Sequence, residues 1–321
     1  MSEESGGFPA VLAMAATRYE RRRSGTSRGP WAEAARRLRG SSLALMGALV
    51  LTLISGSALL APFIVPRDPI KIDPARTLRA PSLDAPFGTD HLGRDVLSRA
   101  LHGGRLSLQV GIVSVGISLG CGLAMGLLAG FSGGWRDMVI MRAMDALLAC
   151  PSVLLALAII TVLGPGLRNV MIAVGLAHVP HYTRIVRSSV LTATRTPYVD
   201  AARALGCRDA RLALRHILPN ALAPVIVVAT LGIPTAIVVG AGFSFLGLGA
   251  QPPTPEWGAM VSGGREYLRR GWWISTTPGL MILLSVLAIN LLGDGLREAL
   301  DPLERDGLIA RSRGMSVGGG G

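Results

Sequence analysis

Lysine is all but absent from this sequence, and charge of either sign is scarce. Only 16% of the 321 residues are charged, and Lys71 is the only lysine among 32 basic residues. A nucleotide-binding P-loop is thereby excluded, since GxxxxGK[ST] needs its lysine after a glycine-rich turn and Lys71 sits in IKID. The three cysteines, Cys121, Cys150 and Cys207, show no CxxC spacing, so neither a disulfide framework nor a zinc site is expected, and they read as small apolar fillers. His178 and His181 stand close together, but no third ligand accompanies them at metal-binding spacing. Nor is there an HExxH or a pair of aspartates deep in an apolar run, which speaks against an intramembrane protease.

Long apolar runs are plentiful. Half of the chain is hydrophobic, and runs of 18 or more residues without charge are candidates for crossing a bilayer. They predict spans at about 43–66, 106–131, 144–167, 218–249 and 273–296. A weaker sixth, 168–190, carries His178, Pro180, His181, Arg184 and Arg187. The net charge is +12. Its arginines lie between spans and not on one soluble face, so they read as topogenic charge, and no nucleic-acid partner is expected. With the N-terminus inside, 21 arginines fall on the cytoplasmic side against 11 basic residues opposite, which favours both termini in the cytoplasm. A self-sufficient channel or ion-coupled transporter would place charge at mid-bilayer, whereas here the charges gather at span ends.

Residues 1–40 read as a disordered, basic cytoplasmic tail that could meet membrane lipid, 41–303 as the membrane domain, and 304–321 as a cytoplasmic tail ending in glycines. The segment 67–105 is polar and proline-rich and faces outward, where it should lie against the spans or a partner. A second outward segment, 250–273, brings Trp257, Trp272 and Trp273, expected as interfacial anchors. In the second span Gly116 and Gly120, then Gly122, Gly126 and Gly130, repeat GxxxG spacing, the pattern of a closely packed helix. Arg142 with Asp145, and Asp294 with Arg297, are three apart and are expected as structural charge pairs on one helix face.

The polar island YVDAARALGCRDARLALRHILPN, 198–220, stands out between two apolar segments. Thr196-Pro197 is a helix start, with a capping hydroxyl and a proline at the first turn. Tyr198, Ala201, Ala202 and Leu205 then share a face, Gly206 breaks the helix, and Arg208, Arg211 and Arg215 lie opposite Leu214, Ile217 and Leu218 before Pro219. The small first face suits insertion into a groove on another protein. Resting on the membrane surface is the other reading, weakened by alanines where an anchor would carry bulk.

DAA–x3–G–x9–H–x–LP, formed by Asp200, Ala201, Ala202, Gly206, His216, Leu218 and Pro219, resembles the EAA loop of ABC-importer permeases. The family's consensus has Glu in place of Asp200 and Ile in place of His216. FGTDHLGRDVLSRALHGGRLSL, PHYTRIVRSSVL and SFLGLGAQPPTPEWGAM extend the resemblance to the peptide/nickel permease family across nearly the whole chain beyond the tail, nearest to its dipeptide branch. The resemblance implies an all-α integral membrane protein of the bacterial cytoplasmic membrane, with six transmembrane helices in the type I ABC importer permease fold. It also implies that the island, 196–219, is a coupling helix seated on an ATPase subunit. The expected partners are one or two ATPase subunits, a homologous second permease and an extracytoplasmic substrate-binding protein. No cofactor is expected in this chain, and ATP and Mg are expected on the ATPases. Oligopeptide, glutathione and nickel branches share much of the pattern, so dipeptide import is the expected function with those as alternatives, and an ATP-independent transporter as a distant one.

Overall fold

The computed structural model describes Arg36 and residues 38–300. Apart from Arg36 and 38–40, the tails expected at 1–40 and 304–321 lie outside the described residues. The chain divides into two units, Met1–Ser41 with Ala299–Gly321, and Ser42–Glu298. Among the described residues no strand forms, and the elements are helices: α1 (Ser42–Leu59), α2 (Val96–Ser132), α3 (Gly134–Leu148), α4 (Ser152–Leu163), α5 (Leu167–Thr194), α6 (Pro197–Ala204), α7 (Leu218–Phe245), α8 (Trp257–Gly264) and α9 (Trp273–Leu300).

Four helical stretches are long and apolar enough to cross a membrane: Ser42–Leu59, Val96–Ser132, Asp209–Phe245 and Trp273–Leu300. The region expected as one span at 144–167 is instead divided, because α3 and α4 meet at 90°. Pro151 is the cause, since it has no N–H to donate and forces Cys150 away from helical geometry. Counted together the bent pair makes a fifth crossing. Helix α5 is long enough for a sixth, but Arg168, His178, His181, Arg184 and Arg187 hold it below the apolar class. It is nevertheless the hub, with Val170, Val174, Val186 and Val190 fully buried.

The Asp95 carboxylate accepts from the Ser98 N–H (3.0 Å) and so caps the start of α2, whose 37 residues extend about 55 Å. Small residues let α2 approach α5. A Cβ at Gly122 or Gly126 would stand 2.6 Å from the Cβ of Tyr182 or Val186, and one at Gly130 would meet Val190 Cγ1 at 2.9 Å. Ser114 Oγ donates to the Met171 carbonyl (3.0 Å) and Ser118 Oγ to that of Gly175 (2.7 Å). In lipid, where apolar burial gives helices no reason to associate, such close contacts and interhelical hydrogen bonds supply the attraction. The neighbour of this stripe is therefore in the same chain. Gly116 and Gly120 do not share it, having no outside atom within 4 Å; at about 100° per residue, six residues carry them to another face.

Helix α4 seals the other side of α5 through Ala156 and Ile160, and α1 approaches α9 where a Cβ at Gly47 would lie 2.6 Å from the Ala288 carbonyl oxygen. The connection between α1 and α2 folds down upon the helices. Arg99 of α2 donates to the carbonyls of Pro69 in the connection (2.9 Å) and of Pro253 (3.4 Å), and Arg105 of α2 ties α2 to α1 through the Ala58 carbonyl (2.7 Å). Asp90 accepts from the Leu92 and Arg94 backbone N–H groups (2.9 Å each) and from Arg94 Nε (2.6 Å), all in a buried cluster.

Two of the tryptophans expected at the headgroup level are core residues. Trp257 is 1% exposed and its indole N–H donates to the Ala100 carbonyl (2.8 Å); Trp273 is buried and donates to that of Thr89 (3.0 Å). Trp272 alone of the three is exposed. The end of the α1–α2 connection and the first turns of α2 supply the apolar surface and the carbonyls that make burial of an indole favourable. Glu256 is buried beside Trp257, with its carboxylate accepting from Ser107 Oγ (3.0 Å) and the Ala259 N–H (2.9 Å) at the start of α8.

Candidate coupling surface

Helix α6 and the segment after it are held to the bundle along one edge. Val199, Leu212, Ile217 and Ala221 pack with Val186, Val190 and Ala193 of α5 and with Val225 of α7, and Ala202 and Cys207 lean on the same cluster. Thr196 is the N-cap by backbone geometry, but its hydroxyl donates back to the Ala193 carbonyl (2.5 Å) and not into α6, so the expected capping bond is not made. The preceding helix still ends within reach, and its Ala193 carbonyl accepts from both the Thr196 hydroxyl and the Thr196 N–H (3.3 Å).

The other end closes as a Schellman motif. Gly206 has φ +76°, its N–H donates to the Arg203 carbonyl (2.9 Å), and the Cys207 N–H donates to that of Ala202 (3.0 Å). An L side chain there would be strained by backbone conformation, although no neighbour stands within 4 Å of its Cβ position.

The face expected to dock is split. Ala202 turns inward to the cluster, whereas Asp200 and Ala201 are exposed and Leu205 is 88% exposed. Val199, three residues before Ala202, chooses the inward side, because its branched side chain covers more apolar surface than any alanine. Asp200 makes a loose pair with Arg203 (4.0 Å) on the exposed surface.

After Gly206 the expected apolar side of Leu214, Ile217 and Leu218 also changes. Residues Leu212–Ile217 form a π-helical turn in which the Leu218 N–H reaches the Ala213 carbonyl, so Leu212, Ala213 and Ile217 are buried and Leu214 is 59% exposed. Pro219 follows at once; its missing N–H and its ring against the carbonyl four residues back favour the widened turn. Leu218 is half-buried, Pro219 exposed, and Arg208, Arg211 and Arg215 exposed.

His216 contributes through its backbone. Its carbonyl accepts from Asn220 Nδ2 (2.7 Å) and from the Tyr198 hydroxyl (3.3 Å), and Asn220 Nδ2 also donates to the Tyr198 oxygen (2.9 Å). This triangle ties α6 to the first turn of α7. Sequence reasoning passed over Asn220, whose position directly after the LP pair, one turn beyond His216, was the available signal.

The expected charge pairs are not formed. Asp145 meets Arg184 of α5 (2.5 Å) and not Arg142, and Asp137 holds Arg187 with both oxygens (2.5 Å each). Spacing of three puts Arg142 and Asp145 on one face, but α5 lies against that face and presents guanidinium groups that reach across. Asp294 and Arg297 are both exposed, and no ion pair joins them among the described residues. Cys150, expected as a filler, is exposed at the α3–α4 elbow.

Residues 122–306 match the family described as binding-protein-dependent transport system inner membrane component, and residues 29–81 match the N-terminal TM domain of oligopeptide transport permease C. Among similar proteins, the di/tripeptide transport system permease protein DppC of Pseudomonas aeruginosa is 51% identical over 265 residues, covering 81% of this chain and 88% of its own. The dipeptide transport system permease protein DppC of Alkalihalophilus pseudofirmus is 45% identical over 277 residues (86% and 91%). A glutathione transport system permease protein GsiD of Escherichia coli is 45% identical over 276 residues (86% and 91%). In fold, the chain is similar to one from an inward-facing MetNI methionine ABC transporter, with TM-score 0.51 and 20% identity over 63% of this chain and 96% of that one.

Proposed function

Because the chain belongs to the binding-protein-dependent transport system inner membrane components, a family of multi-pass inner-membrane permease subunits, we propose that it is the membrane subunit of an ATP-driven importer of dipeptides and other short peptides. The observation that carries the reading is α6: a rigidly closed helix tied to two membrane helices, with Ala201 and Leu205 left exposed among the described residues. An exposed leucine on a fixed helix is a contact in waiting, since covering it removes apolar area from water at about 25 cal/mol per Å².

In this proposal ATPase subunits cover Asp200, Ala201 and Leu205. They also bind ATP and Mg, because this chain has no P-loop. Their closure around ATP displaces α6. The Tyr198–His216–Asn220 triangle and the Val199 cluster then pass the displacement to α7 and α5 as one body, which rocks the spans between inward- and outward-facing states. A homologous permease completes the path. Six spans with both termini cytoplasmic put α6 on the ATPase side and the α1–α2 connection opposite, where a substrate-binding protein would dock on 67–105 and 250–273. Glutathione is a tripeptide, and the GsiD relative supports it as a second substrate of the same class.

The test is purification in mild detergent from the native membrane, with identification of companions by mass spectrometry, followed by dipeptide uptake in proteoliposomes. ATPase chains, a second permease and ATP-dependent uptake are the expected result. Recovery of this chain alone from membranes that contain such partners would overturn it.

A further inference from the structure

A cavity of about 410 Å³ opens beside the α3–α4 elbow, walled by α2, α5 and α7. Its volume is in the range of small-molecule sites. The polar part of the wall comprises Ser114, Ser118, Cys150, Ser152, His178, His181, Tyr182 and Thr235, and none of its lining residues carries a carboxylate, ammonium or guanidinium group. The remainder is aliphatic. His178 Nδ1 donates to the Val174 carbonyl (2.8 Å), which leaves Nε2 as the ring nitrogen for a guest to meet.

We propose that this cavity is a holding chamber for a short peptide in transit, in which His178, His181 and Thr235 hydrogen-bond the peptide's termini. The inference rests on the importer reading and adds to it the residues that touch the cargo.

Three observations support this occupant. The first is chemical. A free peptide brings an ammonium, a carboxylate and amides, and a wall of hydroxyl, thiol and imidazole groups answers all of these with no carboxylate, ammonium or guanidinium group to trap either terminus. A formal charge on the wall would hold one terminus by a hydrogen bond roughly twice as strong, which suits a binding protein better than a passage. The aliphatic remainder accepts varied side chains.

The second is mechanical. Two of the walls, α5 and α7, are the helices that α6 joins, and α3, which leads into the elbow, is tied to α5 by Arg184–Asp145 and Arg187–Asp137. Arg184 is one turn beyond His181, so a displacement of α6 reaches the cavity directly. The third is the placement of prolines. Pro180 lies between His178 and His181, Pro234 precedes Thr235, and Pro151 is itself in the wall. Pro180 and Pro234 each remove a helical N–H at the level of the cavity, while Pro151 stands at the elbow between helices, and in membrane segments such breaks are tolerated where protein or a cavity surrounds them.

Cys150 makes the chamber testable. In the assembled transporter, Cys121→Ser and Cys207→Ser leave Cys150 as the only thiol of this chain. Dialanine uptake by the unlabelled complex is measured first, so failure of the importer reading shows at that step. Cys150 is then modified with a small charged methanethiosulfonate, and its labelling is followed by the mass of this chain. Dialanine at ten times its half-saturating concentration should slow labelling about tenfold, and full modification should abolish most uptake. A labelling rate indifferent to dialanine, the result expected if lipid tails fill the space, overturns the proposal, as does undiminished uptake after full modification. His178→Leu should raise the half-saturating concentration about fivefold, the loss of one hydrogen bond of roughly 1 kcal/mol, with partner assembly intact. An unchanged value removes that imidazole from the chamber.

Discussion

The α1–α2 connection and the island around α6 are both polar, arginine-bearing interruptions of an apolar chain, and the fold treats them in opposite ways. The first is open along most of its length, with Ile72 and Leu83 exposed, but sealed where it enters α2: Asp90 and Arg94 are buried with Arg99 of α2, and Trp257 and Trp273 close over that end with both indole N–H groups satisfied. The second is held by one edge and leaves Leu205 and Leu214 open. A buried charge cluster is costly to form and more costly to break in half, so it suits a part that must not move. An element fixed by one apolar cluster and a small hydrogen-bonded triangle can be pushed as a body. The difference separates a scaffold from a handle.

Substitutions can break or sharpen that contrast. Trp257→Ala in the sealed region should cost about 4 kcal/mol, seen as a lower unfolding temperature in detergent and poor recovery from membranes; unaltered unfolding would show that the seal carries little stability. Asp90→Ala, which leaves Arg94 and Arg99 buried without their carboxylate, should cost about 3 kcal/mol by the same measurement. In the open region Gly206→Val forces a branched side chain to φ +76° and should cost about 1–2 kcal/mol. Its larger consequence is functional: insertion persists while ATP hydrolysis no longer drives uptake in proteoliposomes. Leu205→Glu should leave stability within about 0.5 kcal/mol of the parent and yet reduce the ATPase chains recovered with the protein. If Leu205→Glu destabilised the chain as Trp257→Ala does, the two regions would not differ as described.

Much of this contrast is invisible to spacing. The run DAARALG announces a short helix that must end at Gly206, and it does, through the Schellman bonds of Gly206 and Cys207. Which alanine faces out is not announced. Ala201 and Ala202 are equivalent by composition, and only the packing of Val199 against Val190 and Ile217 turns Ala202 inward. The π-helical turn before Pro219 likewise moves Leu214 from the expected apolar side to the surface. Asp145 shares a helix face with Arg142, but whether it pairs there depends on Arg184, 39 residues away. Trp257 and Trp273 were read as membrane anchors because aromatic residues near a span end usually are; the connection that buries them comes from 150 and more residues earlier in the chain.

The sequence by itself determined where apolar helices could run, where Gly206 would end one of them, and that glycines four apart on α2 would meet a close neighbour. These follow from local chemistry: a missing Cβ, a period of 3.6. Only the tertiary structure decided that Gly122, Gly126 and Gly130 pack on α5 while Gly116 and Gly120 do not, that the tryptophans go inside, and that Leu205 stays out. Periodicity says which side chains share a face, but burial of that face depends on what distant segments bring against it.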